Sequence, residues 1–238
     1  MSRPSLPRRL GALIALNGAE GFLGDEDGGG TGALLDRLAG VRSNLARERD
    51  AAPFLWLELS RTAADRRRER IVEDRRFQTF GLCELLLAKA AAASATDADQ
   101  ASGLATLALA AAERLDAGIH EPAVAHDLKA RAWAELGEAR RVLRDLTGAE
   151  EALAAAAGCL SQGTGDLLVD ARLLEFEAAV RADQGRESEA AALLRQAASR
   201  YAQVNEPELE ARANVRRDAL RRGPRSLPGG HPAFGTNS

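Results

Sequence analysis

Gln184-Gly185-Arg186-Glu187-Ser188-Glu189-Ala190 repeats the character of an earlier stretch, Thr147-Gly148-Ala149-Glu150-Glu151-Ala152. Measured from Ala152 to Ala190, the spacing is 38 residues. Each stretch reads as a glycine-marked turn that opens a helix with one apolar face, and each follows a longer helical segment. A helix–turn–helix unit that recurs along a chain grows by stacking on its neighbour. Such stacks make extended surfaces for partners rather than enclosed pockets for chemistry.

Working outward, the composition fits a chain of closely packed helices. Of 238 residues, 45% are hydrophobic but only 4% aromatic, and much of the apolar content is alanine. Alanine is the best helix former and lets two helices approach closely. The prolines lie at the ends and at Pro53, Pro122 and Pro207, which leaves long stretches free to be helical. The formal net charge of −3 gives no global basic footprint for nucleic acid. Cys83 and Cys159 read as two small apolar residues inside helices, not as a disulfide framework or metal site. A cytoplasmic location is the default for such a chain. Arg3, Arg8 and Arg9 precede the apolar run Leu10–Leu16, but Asn17-Gly18-Ala19-Glu20 is a poor cleavage site, so export is not expected. No run approaches the ~20 apolar residues that span a bilayer.

Punctuation divides the chain into four parts. Residues 1–32, with the glycine-rich Gly24–Gly30 stretch, read as a flexible segment whose apolar run could instead dock as a short helix, and residues 223–238, with Pro224, Pro228 and Pro232, as a disordered tail. Residues 33–64 read as two helices, one over 33–50 and one opened by Pro53. Residues 65–222 read as the repeat region. There a long helix is expected from about 65 to Ala93, followed by one capped by Asp97 with Gln100, one over 121–145 opened by Pro122, and one over 148–160 capped by Thr147 with Glu150. Helices over 166–183, 187–203 and 206–222 complete the series, the last capped by Asn205. Short connections predict antiparallel neighbours, hence an all-α solenoid of helix pairs with additional N-terminal helices.

At these residues the pattern resembles the tetratricopeptide repeat family. Trp133, Leu136 and Gly137 are similar to its first-helix signature, and Gly148, Ala149, Ala152, Ala156 and Cys159 to its second helix. In the next unit Leu174 and Ala178 take the Trp and Gly positions, followed by Gly185, Ala190, Leu194 and Ala197. A more divergent unit falls on Phe77, Phe80 and Gly81, with Gly103, Leu107 and Ala110 as second-helix positions. Helix 206–222 resembles a solitary closing helix. The spacings of 49 and 38 residues between Gly103, Ala152 and Ala190 depart from the family's ~34. The resemblance implies that Gly137 and Ala152 are small because two helices cross there. It also implies a concave surface receiving a peptide or partner helix, here carrying Arg75, Gln78, Arg131, Glu138, Arg141, Arg172 and Glu175. The Lys/Asn pattern with which some members hold a C-terminal carboxylate is missing.

No catalytic constellation competes with this reading. There is no nucleophile elbow, phosphate loop or dinucleotide fingerprint, and no cofactor is implied. His120 and His126 lack companions at ligand spacing and read as surface or cap residues, so no metal is expected. The basic run Arg66–Arg76 is interleaved with Asp65, Glu69, Glu73 and Asp74, which suits a solvated, internally paired helix face. The expected role is a non-enzymatic scaffold or adaptor that binds another protein or peptide. The alternative is a regulatory sensor that binds a peptide or nucleic acid, nucleic acid being the less favoured partner.

Overall fold

A computed structural model describes residues 29–222, and no strand occurs among them. The Leu10–Leu16 run and the tail from Gly223 lie outside the described residues. The helices are α1 (Gly29–Ser60), α2 (Arg67–Glu73), α3 (Phe80–Ala93), α4 (Ala98–Ala112), α5 (Pro122–Val142), α6 (Leu146–Leu160), α7 (Leu167–Asp183), α8 (Glu187–Gln203) and α9 (Pro207–Arg222). From α3 onward each helix packs against the next, α1 packs on α3 and α2 on α4, and short 3₁₀ turns at Ala64–Arg66 and Arg75–Phe77 flank α2.

The N-terminal region departs from expectation. It contains one continuous helix where two were expected, and that helix already begins at Gly29, inside the segment read as flexible. Pro53 lies within it on the exposed side. Leu45, Ala52 and Leu59 recur every seven residues and are all buried, so one packed stripe runs past the proline and holds both halves in line.

The helix expected from 65 to 93 is instead broken in two. Asp74 is extended at φ −110°, and its carboxylate accepts the Arg76 N–H at 3.1 Å. Gln78 donates its amide to the carbonyls of Ile71 (2.9 Å) and Val72 (3.1 Å) near the end of α2. Thr79 then caps α3 by accepting the Leu82 N–H at 3.2 Å. Side chains that satisfy local backbone groups thus outcompete a continuous helix, and the turn drives Phe77 and Phe80 fully into the core.

Two further caps move. Asp145, not Thr147, caps α6 by accepting the Gly148 N–H at 2.8 Å. Asn205, expected to cap the last helix, ends α8 in the left-handed region at φ 54°. It belongs to a set of three turns. After α5, α7 and α8, the residues Arg144 (φ 69°), Gly185 (φ 74°) and Asn205 are all left-handed. In each, the following N–H reaches back five residues: Asp145 to Arg140 O (2.9 Å), Arg186 to Arg181 O (2.8 Å) and Glu206 to Tyr201 O (2.9 Å). This is the Schellman arrangement, which satisfies carbonyls left free at a helix end.

The turns reset the repeat register. Arg144 and Gly185 stand 41 residues apart, and the same offset relates Trp133 to Leu174, Gly137 to Ala178, Ala149 to Ala190, Leu153 to Leu194 and Ala156 to Ala197. The 38-residue offset for the second helices is therefore corrected to 41. Gly148 is not a turn residue: it lies in the first turn of α6, where a Cβ would stand 2.0 Å from Asp145 Oδ2. Gly185 is needed for its backbone angle, Gly148 for room, and the two are not equivalent.

The core is built largely of alanine and leucine. In its largest part Leu82, Cys83, Leu86 and Ala90 of α3 meet Leu104, Ala105 and Ala108 of α4. Trp133 on α5 packs against both this cluster and the next, which contains Ala149, Leu153, Phe176 and Val180. At the α5–α6 crossing a Cβ on Gly137 would lie 2.8 Å from Leu153 Cδ2. Leu136, Ala152, Ala178 and Ala190 are buried, and the partly buried Leu174 packs against Ala171 and Tyr201. Gly103, expected to pack, instead faces open space. Gly81 makes its close approach to α1, where a Cβ would meet the Glu48 carbonyl oxygen at 2.3 Å.

Candidate functional site

The face where α5, α7 and α9 come together carries a row of alternating charges. It is centred on Glu175, whose side chain is 0% exposed. A carboxylate taken wholly out of water must be hydrogen-bonded and neutralised. Its Oε2 accepts the Tyr201 hydroxyl from α8 at 2.8 Å and Arg212 from α9 at 3.2 Å, while Oε1 accepts Arg216 at 3.4 Å. Arg172, one turn earlier on α7, stands 3.7 Å from Oε2. Its guanidinium lies 4.3 Å from the Phe176 ring centroid, which fixes its position.

From Arg172 the row continues onto α5. Glu135 Oε1 is 3.9 Å from Arg172, and Glu135 Oε2 is buried without a hydrogen-bond partner among the described residues. Burial pushes the Glu135 carboxyl up, against the pull of Arg172 and Arg131. Arg131, four residues before Glu135 on the same helix, is half-exposed and makes no ion pair within 4.0 Å among the described residues. Burial likewise pushes the Tyr201 phenol up, and the Glu175 charge adds to the effect.

A second tie joins the C-terminal ends of α5 and α7. Arg141 grips Glu138 with two hydrogen bonds (2.8 and 3.0 Å) and reaches Asp183 at 2.5 Å. These contacts raise the Arg141 pKa further above its ordinary value, the Glu138 hydrogen bond contributing most. Arg181 pairs with Glu150, and Arg200 with Asp170 at 2.7 Å, so α7 is also tied to α6 and α8.

The residues expected to meet a partner are therefore not equivalent. Glu175 is a buried anchor and is inaccessible to a partner, which corrects its assignment as a contact. Gln78 spends its amide hydrogens on the end of α2. Glu138 and Arg141 hold each other and Asp183. Arg172 keeps an outer face while paired inward, whereas Arg131 and the exposed Arg75 remain without ion pairs among the described residues. Glu135, Tyr201, Arg212 and Arg216 were not singled out from the sequence. The signal for the last two was their four-residue spacing astride Ala213, the one buried residue of an otherwise polar helix.

The remaining polar features are structural. His120, expected at the surface, is buried: its Nε2 lies 3.0 Å from Glu48 Oε1, and its ring stacks on Phe80. Asp127 is also buried and accepts the Thr164 hydroxyl at 2.5 Å, pinning the loop before α7. In the basic run, Arg70 and Arg76 both pair with Glu58 of α1 and with Asp74. Among the described residues no cluster of three His, Cys, Asp or Glu residues could hold a metal, and no helix is long and apolar enough to cross a membrane.

No protein-family model, curated protein or solved structure matches this chain.

Proposed function

We propose that the chain is a non-enzymatic scaffold of the cytoplasm. In this reading it is a solenoid of antiparallel helix pairs, similar to tetratricopeptide repeats, that binds a partner protein along the α5–α7–α9 face. The observation that carries the proposal is the row of arginines on that face: Arg131, Arg141, Arg172, Arg212 and Arg216 stand against Glu135, Glu138, Glu175 and Asp183, one positive charge in excess, with Arg131 outside every ion pair among the described residues. Supporting the stacked architecture are the common turn pattern and the 41-residue equivalence of buried positions in α5–α6 and α7–α8. A surplus of charge held in fixed geometry gives specificity and steers encounter with an oppositely charged partner.

The test is co-purification of the intact protein with its binding partner, comparing wild type with Arg131→Glu. Among the described residues Arg131 makes no ion pair, so reversing it breaks no salt bridge and removes only its longer-range pull on Glu135. A partner that is retained by wild type and lost by the variant supports the scaffold. Equal retention places the interface elsewhere, and failure to retain any protein removes the proposal. Arg141→Glu is the poorer probe, because it would also break the bridge between α5 and α7.

A further inference from the structure

We propose that Arg172, Arg212 and Arg216 form a cradle for a carboxylate side chain of an acidic peptide segment in the partner. The inference rests on the scaffold reading and names the chemistry of its ligand. Three guanidinium groups converge on one buried carboxylate, lying 3.7, 3.2 and 3.4 Å from its oxygens. Their own side chains remain 39, 49 and 44% exposed. Each guanidinium has about five N–H donors, whereas a carboxylate offers about four acceptor sites, one of which Tyr201 occupies. Most of the donors are thus unspent, on side chains that are partly exposed, while Glu175 holds the three groups together.

Preorganisation follows from the same contacts. Arginines on a free helix repel one another and lose rotamer entropy on binding. Here Phe176 stacks against Arg172, and Glu175 has already ordered all three. A planar fork is suited to bidentate capture of a carboxylate. The surroundings favour a short acidic segment over a polyanion. Glu135 lies 3.9 Å from Arg172, and Glu138 and Asp183 flank Arg141 nearby on the same two helices. A nucleic-acid backbone laid across this face would have to pass these carboxylates, and the whole chain is net negative.

The cradle is tested by fluorescence anisotropy with the full-length protein and a labelled peptide alternating Glu and Gly. A Gln–Gly peptide, inorganic phosphate and a single-stranded oligonucleotide serve as competitors. Saturable binding of the acidic peptide is expected, with competition by unlabelled peptide and little by the others. Arg212→Gln with Arg216→Gln should weaken it about tenfold. Because that pair could loosen α9, Arg212→Lys with Arg216→Lys keeps the charge on Glu175 and should still lower affinity severalfold. Glu175→Gln keeps an acceptor for Tyr201 but removes the charge that gathers the three guanidinium groups, so it should weaken binding severalfold; unchanged affinity would show that Glu175 does not organise the cradle. The inference is overturned if the acidic peptide does not saturate, if oligonucleotide or phosphate displaces it as well as unlabelled peptide does, or if both double variants bind like wild type. Continued retention of a partner by the lysine variant, with no peptide binding, would leave the scaffold standing and remove the cradle alone.

Discussion

Gly81 on α3 lies directly against the backbone of Glu48 on α1: a Cβ at this glycine would stand 2.3 Å from the Glu48 carbonyl oxygen and 2.6 Å from the Arg49 nitrogen. The contact is backbone to backbone, so no side chain can rotate away to relieve it. Around it Arg49 pairs with Glu84 of α3 at 2.6 Å, and His120 from the connection before α5 meets Glu48 at 3.0 Å, so α1 is tied to both. Gly81→Ala should therefore cost about 3 kcal/mol and shift α1 from its seat. Urea denaturation measures the loss, and amide exchange along α1 measures the shift. Wild-type stability in the variant would show that α1 does not dock in this way.

Gly137 offers a softer contrast, because its nearest obstacle is the Leu153 side chain at 2.8 Å. Gly137→Ala should cost about 1–2 kcal/mol by overpacking, and Leu153→Ala about 2–3 kcal/mol by leaving a cavity. Together they should cost clearly less than the sum, since the shortened side chain makes room for the new methyl group. A double-mutant cycle on chemical denaturation would reject the crossing if the two effects simply added.

The three left-handed turns make opposite predictions for two substitutions. Arg144, exposed at φ 69°, strains a residue with a Cβ, whereas Gly185 at φ 74° does not. Arg144→Gly should stabilise the protein by about 0.5–1 kcal/mol, and Gly185→Ala should destabilise it by about 1 kcal/mol. Thermal melts of the two variants check the sign. A loss of stability in Arg144→Gly would contradict the turn geometry.

Glu135 predicts a pH dependence. Its folded pKa is raised, burial outweighing Arg172 and Arg131, so the folded state holds the proton more tightly than the unfolded chain. Stability from this group is present at pH below its unfolded pKa of about 4.3, falls as pH rises through the folded value, and stays lost at neutral pH. Glu135→Gln should therefore be the more stable protein at pH 7 and should match wild type near pH 4. Denaturation at the two pH values reads the difference; an advantage confined to acid would reverse the assignment.

Where backbone punctuation is strong, helix bounds can be read from the sequence. Asp97, Pro122, Asp166 and Gly185 each mark a boundary that the structure keeps. The errors arise where tertiary contacts override local signals. Pro53 predicted a helix start, yet the buried stripe of Leu45, Ala52 and Leu59 carries α1 past it. The apolar stripe after residue 65 predicted a single helix, but Asp74, Gln78 and Thr79 capture backbone groups and turn the chain. The match of Gly148 to Gly185 equated two glycines present for different reasons, which produced a second-helix offset three residues short. On the charged face, Arg131 and Arg172 were named only through the repeat resemblance. The node at Glu175 was not legible, because Tyr201, Arg212 and Arg216 reach it from 26, 37 and 41 residues away along the chain.

Tyr201 is the chain's one tyrosine, and its hydroxyl donates to Glu175 at the centre of that node. The protein therefore carries a native chromophore beneath the arginines. Any event that lifts α9 or alters the charge on Glu175 changes the surroundings of this phenol. Its ultraviolet absorbance in an alkaline titration would then move back toward that of a free tyrosine. Displacement of α9 becomes an optical signal that needs no label, and the two tryptophans, which do not ionise, serve as its internal reference.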